Sequence, residues 1–107
     1  MEAIAWDEYD VAGQSERMSV KLYRPVRSSG DGPWECRVEI GAPLHISRLI
    51  CGGTSLQALI LGLRTLSVFI YSSDLYKHGQ LGVNGRFGGD LFVPATKHFL
   101  DIAPYPF

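Results

Sequence analysis

The sequence predicts an α+β fold in which an antiparallel sheet of four to six strands carries one long helix packed across one face. Strand-like segments lie before and after a single long helical pattern, and the connections between them are short and need no parallel crossover. The chain has 107 residues, of which 46% are hydrophobic and 20% charged. This size and composition predict a single globular domain over residues 1–107.

The first half of the chain contains the main predicted strands. Apolar and polar residues alternate over residues 18–23 and again over residues 34–40, as is typical of strands with one buried face. Turn-forming residues at 27–32 predict that these strands form an antiparallel hairpin. Residues 4–11 are interpreted as a further strand, and their acidic side chains favour a solvated sheet edge over a metal site.

A capping signal and helical spacing predict the long helix. Thr54 follows two glycines and is a favourable N-cap, and Gln57 stands where a capping box needs it. The pattern continues as far as Gly79, so we predict a helix over this length. We expect its sheet-facing side to consist of Leu56, Leu59, Ile60, Leu63, Leu66 and Ile70.

Short strands and an apolar tail are predicted after the helix. Asn84-Gly85 predicts a tight turn between strands at residues 81–83 and 86–87. Residues 91–93 are interpreted as a last short strand. Residues 102–107 are apolar and contain two prolines, so we expect them to dock on the domain or on a partner.

The charge and the apolar stretches exclude several classes of protein. Ten Lys and Arg against eleven Asp and Glu give a formal charge of −1, which leaves no broad positive field for nucleic acid or an anionic membrane. The longest apolar stretch, residues 56–71, contains Arg64 and is too short for a membrane span. The N-terminus is acidic where a signal peptide is apolar, so we expect a cytoplasmic protein with reduced thiols.

The sequence predicts no catalytic residue, no metal site and no cofactor. Its three histidines are isolated from one another, and Cys36 and Cys51 lack the spacing of a metal motif. Gly52-Gly53 leads into a helix but lacks the lysine of a phosphate-binding loop. The alternative that stays open is a small ligand-binding protein or enzyme centred on this helix start, with Cys51 and a histidine.

The outer side of the predicted helix is the main candidate for function, because it is more apolar than a solvated helix face. We therefore expect a non-enzymatic interaction module that self-associates as a homodimer. Binding to a single protein partner, in an immunity-like or regulatory role, is the related possibility. The expected contact residues on the helix and the C-terminal tail are Leu61, Arg64, Val68, Tyr71, Tyr105 and Phe107.

Three segments resemble a family of small uncharacterised bacterial domains. They are the strand pattern Trp34–Ile40, the helix start Gly53-Thr54-Ser55-Leu56-Gln57-Ala58-Leu59 and the segment Gly89-Asp90-Leu91-Phe92-Val93-Pro94. The resemblance covers about residues 18–94 and implies a compact α+β domain of unknown function. It implies no active-site residue, and the acidic N-terminal stretch and the apolar tail lie outside it.

Overall fold

An antiparallel sheet of seven strands with one long helix packed against it forms the fold, which confirms the predicted α+β class. The computed structural model describes residues 3–89 and residue 91. The strands are β1 (Ala3–Val11), β2 (Met18–Tyr23), β3 (Val26–Arg27), β4 (Trp34–Ile40), β5 (Ile46–Gly52), β6 (Leu81–Val83) and β7 (Arg86–Phe87). The helices are α1 (Ser55–Tyr71) and the short α2 (Asp74–Lys77).

The order of the strands places β5 at one edge of the sheet. β4 pairs with β5 along one side, and along its other side with β2 near its C-terminal end and β3 near its N-terminal end. Pro25 lies between β2 and β3, where its missing N–H interrupts the ladder. β1 follows β2, and β6 and β7 complete the sheet.

The sequence did not predict β3 or β5, and for this reason the sheet has more strands than expected. In β5 the polar Ser47 and Arg48 are adjacent, as are the apolar Leu49 and Ile50, so no period of two is visible. The strand nevertheless pairs with β4 along its whole length without a register shift. Pairing with a regular neighbour therefore overrides a weak local pattern.

The start of α1 is as predicted, but its end is not. The Thr54 side chain accepts a hydrogen bond from Gln57 N–H at 3.0 Å, and Gln57 Oε1 accepts one from Gly53 N–H at 2.5 Å. The prediction that the helix continues to Gly79 is wrong, because α1 ends at Tyr71. The Ser73 side chain then accepts the Tyr76 N–H at 3.2 Å and starts α2, since serine side chains compete for backbone N–H groups.

The core lies between α1 and one face of the sheet. Its fully buried residues come from β1, β2, β4, α1, β6 and the segment after β7, and include Tyr9, Met18, Val38, Ile70, Leu81 and Leu91. The Tyr9 hydroxyl donates to the Leu91 carbonyl at 3.0 Å, which fixes this last segment against β1.

The predicted features at the two ends of the chain have different outcomes. Asn84 and Gly85 both have positive φ, which confirms the tight turn between β6 and β7. β1 is confirmed as a strand. Among the described residues β6 pairs only with the last two positions of β1, so Asp7 and Glu8 lie at a sheet edge as predicted, whereas Asp10 lies where β6 pairs and binds Arg17. Residues 102–107 and most of the predicted strand at 91–93 lie outside the described residues.

Candidate functional site

Small residues determine which side of α1 faces the sheet. Ala58, Gly62, Leu66 and Ile70 are buried, and their spacing of four places them on one side of the helix. A Cβ added to Gly62 would lie 2.8 Å from the Sγ of Cys36. The helix therefore approaches β4 more closely at this point than a larger residue would allow.

Because of this close approach, the sheet-facing side of α1 differs from the predicted one. Leu66 and Ile70 are buried as expected, and Leu59 and Leu63 are partly buried. Leu56 and Ile60 are instead 63% and 46% exposed, so their assignment to the sheet-facing side is wrong. Because apolar residues occur nearly all round α1, its period could not fix the orientation, and the small residues did.

The predicted contact residues on α1 differ in how free they are to bind a partner. Val68 is 43% exposed, and Leu61 and Arg64 are half-buried. The Tyr71 hydroxyl accepts a hydrogen bond from the Leu91 N–H at 3.2 Å, and the Tyr71 ring packs edge-on against Tyr76 with centroids 4.8 Å apart. Tyr71 therefore serves contacts within the subunit.

Tyr105 and Phe107, the other two predicted contact residues, lie outside the described residues. We define the α1 outer stripe as Leu61, Arg64 and Val68.

One contact shows which side of α1 lies nearest β5. The guanidinium carbon of Arg48, on β5, lies 5.4 Å from the centre of the Phe69 ring. At about 3.6 residues per turn, Phe69 lies about 80° around the helix from Leu61 and about 100° from Val68. The α1 outer stripe therefore lies on the flank of α1 next to the one that contacts β5.

Backbone hydrogen bonds show which residues of β5 direct their N–H and C=O groups towards the open edge and not towards β4. Gly41 N–H donates to the Ser19 carbonyl of β2 at 2.8 Å. Since the bonding direction alternates along an antiparallel strand, the odd-numbered residues of β4 bond to β2 and the even-numbered ones to β5. The partners of those even-numbered residues in β5 are Ile46, Arg48, Ile50 and Gly52.

The remaining residues of β5 direct their backbone N–H and C=O groups outward, and we define Ser47, Leu49 and Cys51 as the β5 edge. All three are exposed, and Leu49 is 45% exposed on the helix-free face of the sheet. No strand or loop within residues 3–89 pairs with these outward backbone groups. Arg48 donates from Nη1 to the Ser47 carbonyl at 2.9 Å, so its charge stays close to its own strand.

A comparison with models of protein families identifies the family to which the chain belongs. The model of a domain of unknown function (DUF6968) matches residues 8–95. The chain belongs to this family. The match confirms the resemblance to an uncharacterised domain family, and it begins earlier than the expected residue 18, so that it includes residues 8–11 of β1 with Glu8 and Asp10 but not Asp7.

The other comparisons add no functional assignment. No curated protein and no solved structure matches the chain. Within the part of the chain that the structure describes, no helix is long and apolar enough to cross a membrane.

The described residues do not assemble the alternative centre around Cys51. Cys51 lies near the end of β5 and His45 directly before its start, so about 20 Å of extended strand separates them. His78 follows α2, and His98 lies outside the described residues. Among residues 3–89 and 91, no group of three or more His, Cys, Asp and Glu side chains could hold a metal ion.

Packing also explains Gly52 before this helix start and the second cysteine, Cys36 on β4. Gly52 is buried, and a Cβ there would lie 2.5 Å from the Ala58 backbone nitrogen, so glycine is needed for β5 to meet α1. The Cys36 thiol is fully buried and donates to the Tyr23 carbonyl at 3.2 Å. Its burial raises the pKa of the thiol, which disfavours the reactive thiolate.

The helix-free face of the sheet carries several charged residues, and two of them bind neutral partners. The Tyr23 hydroxyl donates to Glu39 Oε2 at 2.8 Å, and Arg37 Nη1 donates to Ser47 Oγ at 3.1 Å. The bond to Glu39 raises the pKa of Tyr23, because ionisation would break it and place two negative charges together. A groove of about 280 Å³ between Lys21, Glu39 and His45 holds no paired catalytic groups.

Sequence reasoning found the α1 outer stripe but missed the β5 edge. The available signal was weak: Ile46 and Ile50 are β-branched, and the residues between Pro43 and Gly52 contain no helix-breaking residue or turn signal. Nothing local shows that this segment ends a sheet, because that depends on the order in which the strands pair.

Proposed function

We propose that this protein is a non-enzymatic protein–protein interaction module that self-associates as a homodimer through the α1 outer stripe. The observation that carries the proposal is the distribution of residue sizes around α1. Its sheet-facing side uses small residues such as Ala58 and Gly62, whereas in the α1 outer stripe Val68 is 43% exposed and Leu61 half-buried.

Exposure of these side chains leaves stabilising burial unused. Burying one side chain the size of Val or Leu contributes about 1.5–3 kcal/mol relative to leaving it in water. A second copy offers the same apolar stripe, and a twofold axis would bring the two stripes together without any further feature in the sequence. The nearly neutral chain gives no comparable support for an anionic partner.

The test is the mass of the protein in solution, measured by sedimentation velocity from low to high micromolar concentration. We expect a dimer that dissociates on dilution. Val68→Lys should shift the equilibrium towards monomer, because it replaces the exposed apolar side chain of the stripe with a second positive charge beside that of Arg64. Ile4→Lys is the matched control: Ile4 is 51% exposed but lies on β1, so its variant should still dimerise.

A strict monomer at high micromolar concentration would contradict self-association. It would leave a single heterologous protein, in an immunity-like or regulatory role, as the occupant of the same stripe. Equal weakening by Ile4→Lys and Val68→Lys would show that the stripe is not the contact. Circular dichroism of each variant establishes that it is folded before its mass is interpreted.

A further inference from the structure

We infer that the second copy docks by strand pairing, with β5 of one subunit antiparallel to β5 of its partner about a twofold axis. The two sheets then become one continuous sheet with both α1 helices on the same face. This inference rests on the proposed self-association and specifies how the two copies meet.

The β5 edge has the properties of a strand open to pairing. Ser47, Leu49 and Cys51 each direct one N–H and one C=O group outward. Natural proteins usually protect such an edge with Pro, charged side chains or a bulge. β5 has seven residues, contains no Pro and one charged residue, Arg48, and pairs with β4 without a register shift.

The N-terminal part of β1, whose outer side pairs with no described strand, gives the contrasting case. It carries the acidic residues Asp7 and Glu8, and its pairing with β2 shifts register between Ala3 and Ala5. Charge and irregularity both oppose strand addition. The two edges are therefore unequal, and β5 is the one that favours addition of a second strand.

The register of the two β5 strands follows from the length of β5 and from the charge of Arg48. Only a twofold axis at Leu49 pairs all seven residues of Ile46–Gly52 with their equivalents. Leu49 then lies opposite the partner's Leu49, and Ser47 opposite the partner's Cys51, so that all the outward groups exchange N–H···O=C bonds. At the axis the two Leu49 side chains lie side by side, which reduces the exposure of each.

The charge of Arg48 supports the same register. With the axis at Leu49, each Arg48 lies opposite the partner's Ile50. A shift that placed the axis at Arg48 would set two positive charges directly opposite each other, which is destabilising. Arg48 faces Phe69 of its own α1 and also donates to the outward Ser47 carbonyl. A carbonyl oxygen has two lone pairs, so the Ser47 carbonyl can accept the N–H of the partner's Cys51 as well.

Strand pairing also brings the two α1 outer stripes together. α1 packs over both β4 and β5, so its axis runs above the space between them. The two helices would lie about two strand spacings apart, or about 10 Å. Packed helices are separated by about 8–10 Å, so the two α1 helices can pack side by side, running antiparallel, with their outer stripes next to each other across the axis.

A charge exchange at residue 49 tests this arrangement in the full chain. Leu49→Lys and Leu49→Glu each place two like charges opposite each other, so each should raise the dimer dissociation constant at least about tenfold, which corresponds to 1.4 kcal/mol. An equimolar mixture should recover a dimer, because Lys then lies opposite Glu. Sedimentation velocity gives the masses, and a mass difference from a fusion tag identifies the mixed dimer.

The outcomes separate this inference from the proposed function. If Val68→Lys dissociates the dimer but both Leu49 variants remain dimeric, β5 pairing is overturned and self-association through α1 stands. If each Leu49 variant is monomeric and the mixture is monomeric too, the axis at Leu49 is overturned. A monomeric wild-type protein would overturn both proposals.

Discussion

At the scale of single residues, Gly62 has the largest influence on how α1 packs. Glycine in a helix interior normally costs stability, because it has more conformational freedom to lose on folding than alanine. Here a side chain would collide with Cys36, whose Sγ lies 2.8 Å from the position of a Cβ on Gly62. The sequence contained this signal in the spacing of Ala58 and Gly62, but the more abundant leucines obscured it.

We predict that Gly62→Ala destabilises the fold by about 1–3 kcal/mol through overpacking, although the same change at an open helix position stabilises by about 0.5–1 kcal/mol. Urea unfolding followed by far-ultraviolet circular dichroism measures the free energy of unfolding. The Leu22 Cδ1 atom, 3.3 Å from the same position, leaves little room for Cys36 to move.

The control is the same change in a Cys36→Ala background. Removing the Sγ should make room for the new methyl group, so Gly62→Ala should cost less there than in the wild type. An equal cost in both backgrounds would show that contact with Cys36 is not the cause.

At the scale of elements, those with strong local signals were predictable and those that depend on their neighbours were not. The cap at Thr54 and the turn at Asn84-Gly85 are specified by residues close in sequence, and both are as predicted. The end of α1 was missed because Ser73 starts a new helix within a continuing helical pattern. β5 was missed because it acquires its conformation by pairing with β4.

We predict that Thr54→Ala lowers the free energy of unfolding by about 1 kcal/mol, because it removes the acceptor of the Gln57 N–H. Thermal or urea unfolding measures the loss. Ser55→Ala is the control, since Ser55 is an exposed residue in the first turn of α1. If the two variants lose the same stability, the capping bond is not the source of the effect.

At the scale of the whole molecule, the fold class followed from the sequence but the order of the strands did not. Alternating segments and one helical pattern are enough to predict an α+β protein. Which strand lies at an edge depends on pairings such as that of β4 with β2, β3 and β5, which no single segment encodes. The helical pattern was therefore enough to name the residues of the α1 outer stripe, whereas the open β5 edge could not be named from any single segment.

The proposed dimer makes both features parts of one surface. The α1 outer stripe supplies apolar contact, and the β5 edge supplies backbone donors and acceptors in a fixed register. The two contributions differ in their sensitivity to mutation, since a change at Val68 leaves the backbone groups of β5 intact.

Residue-resolved amide hydrogen exchange along β5, compared at dilute and at high protein concentration, tests this account most directly. At dilution the amides of Arg48 and Ile50 should be protected by their bonds to β4, whereas those of Ser47, Leu49 and Cys51 should exchange freely. At high concentration all five should be protected. Free exchange of the three outward amides in a dimer, or their protection in a monomer, would contradict the account.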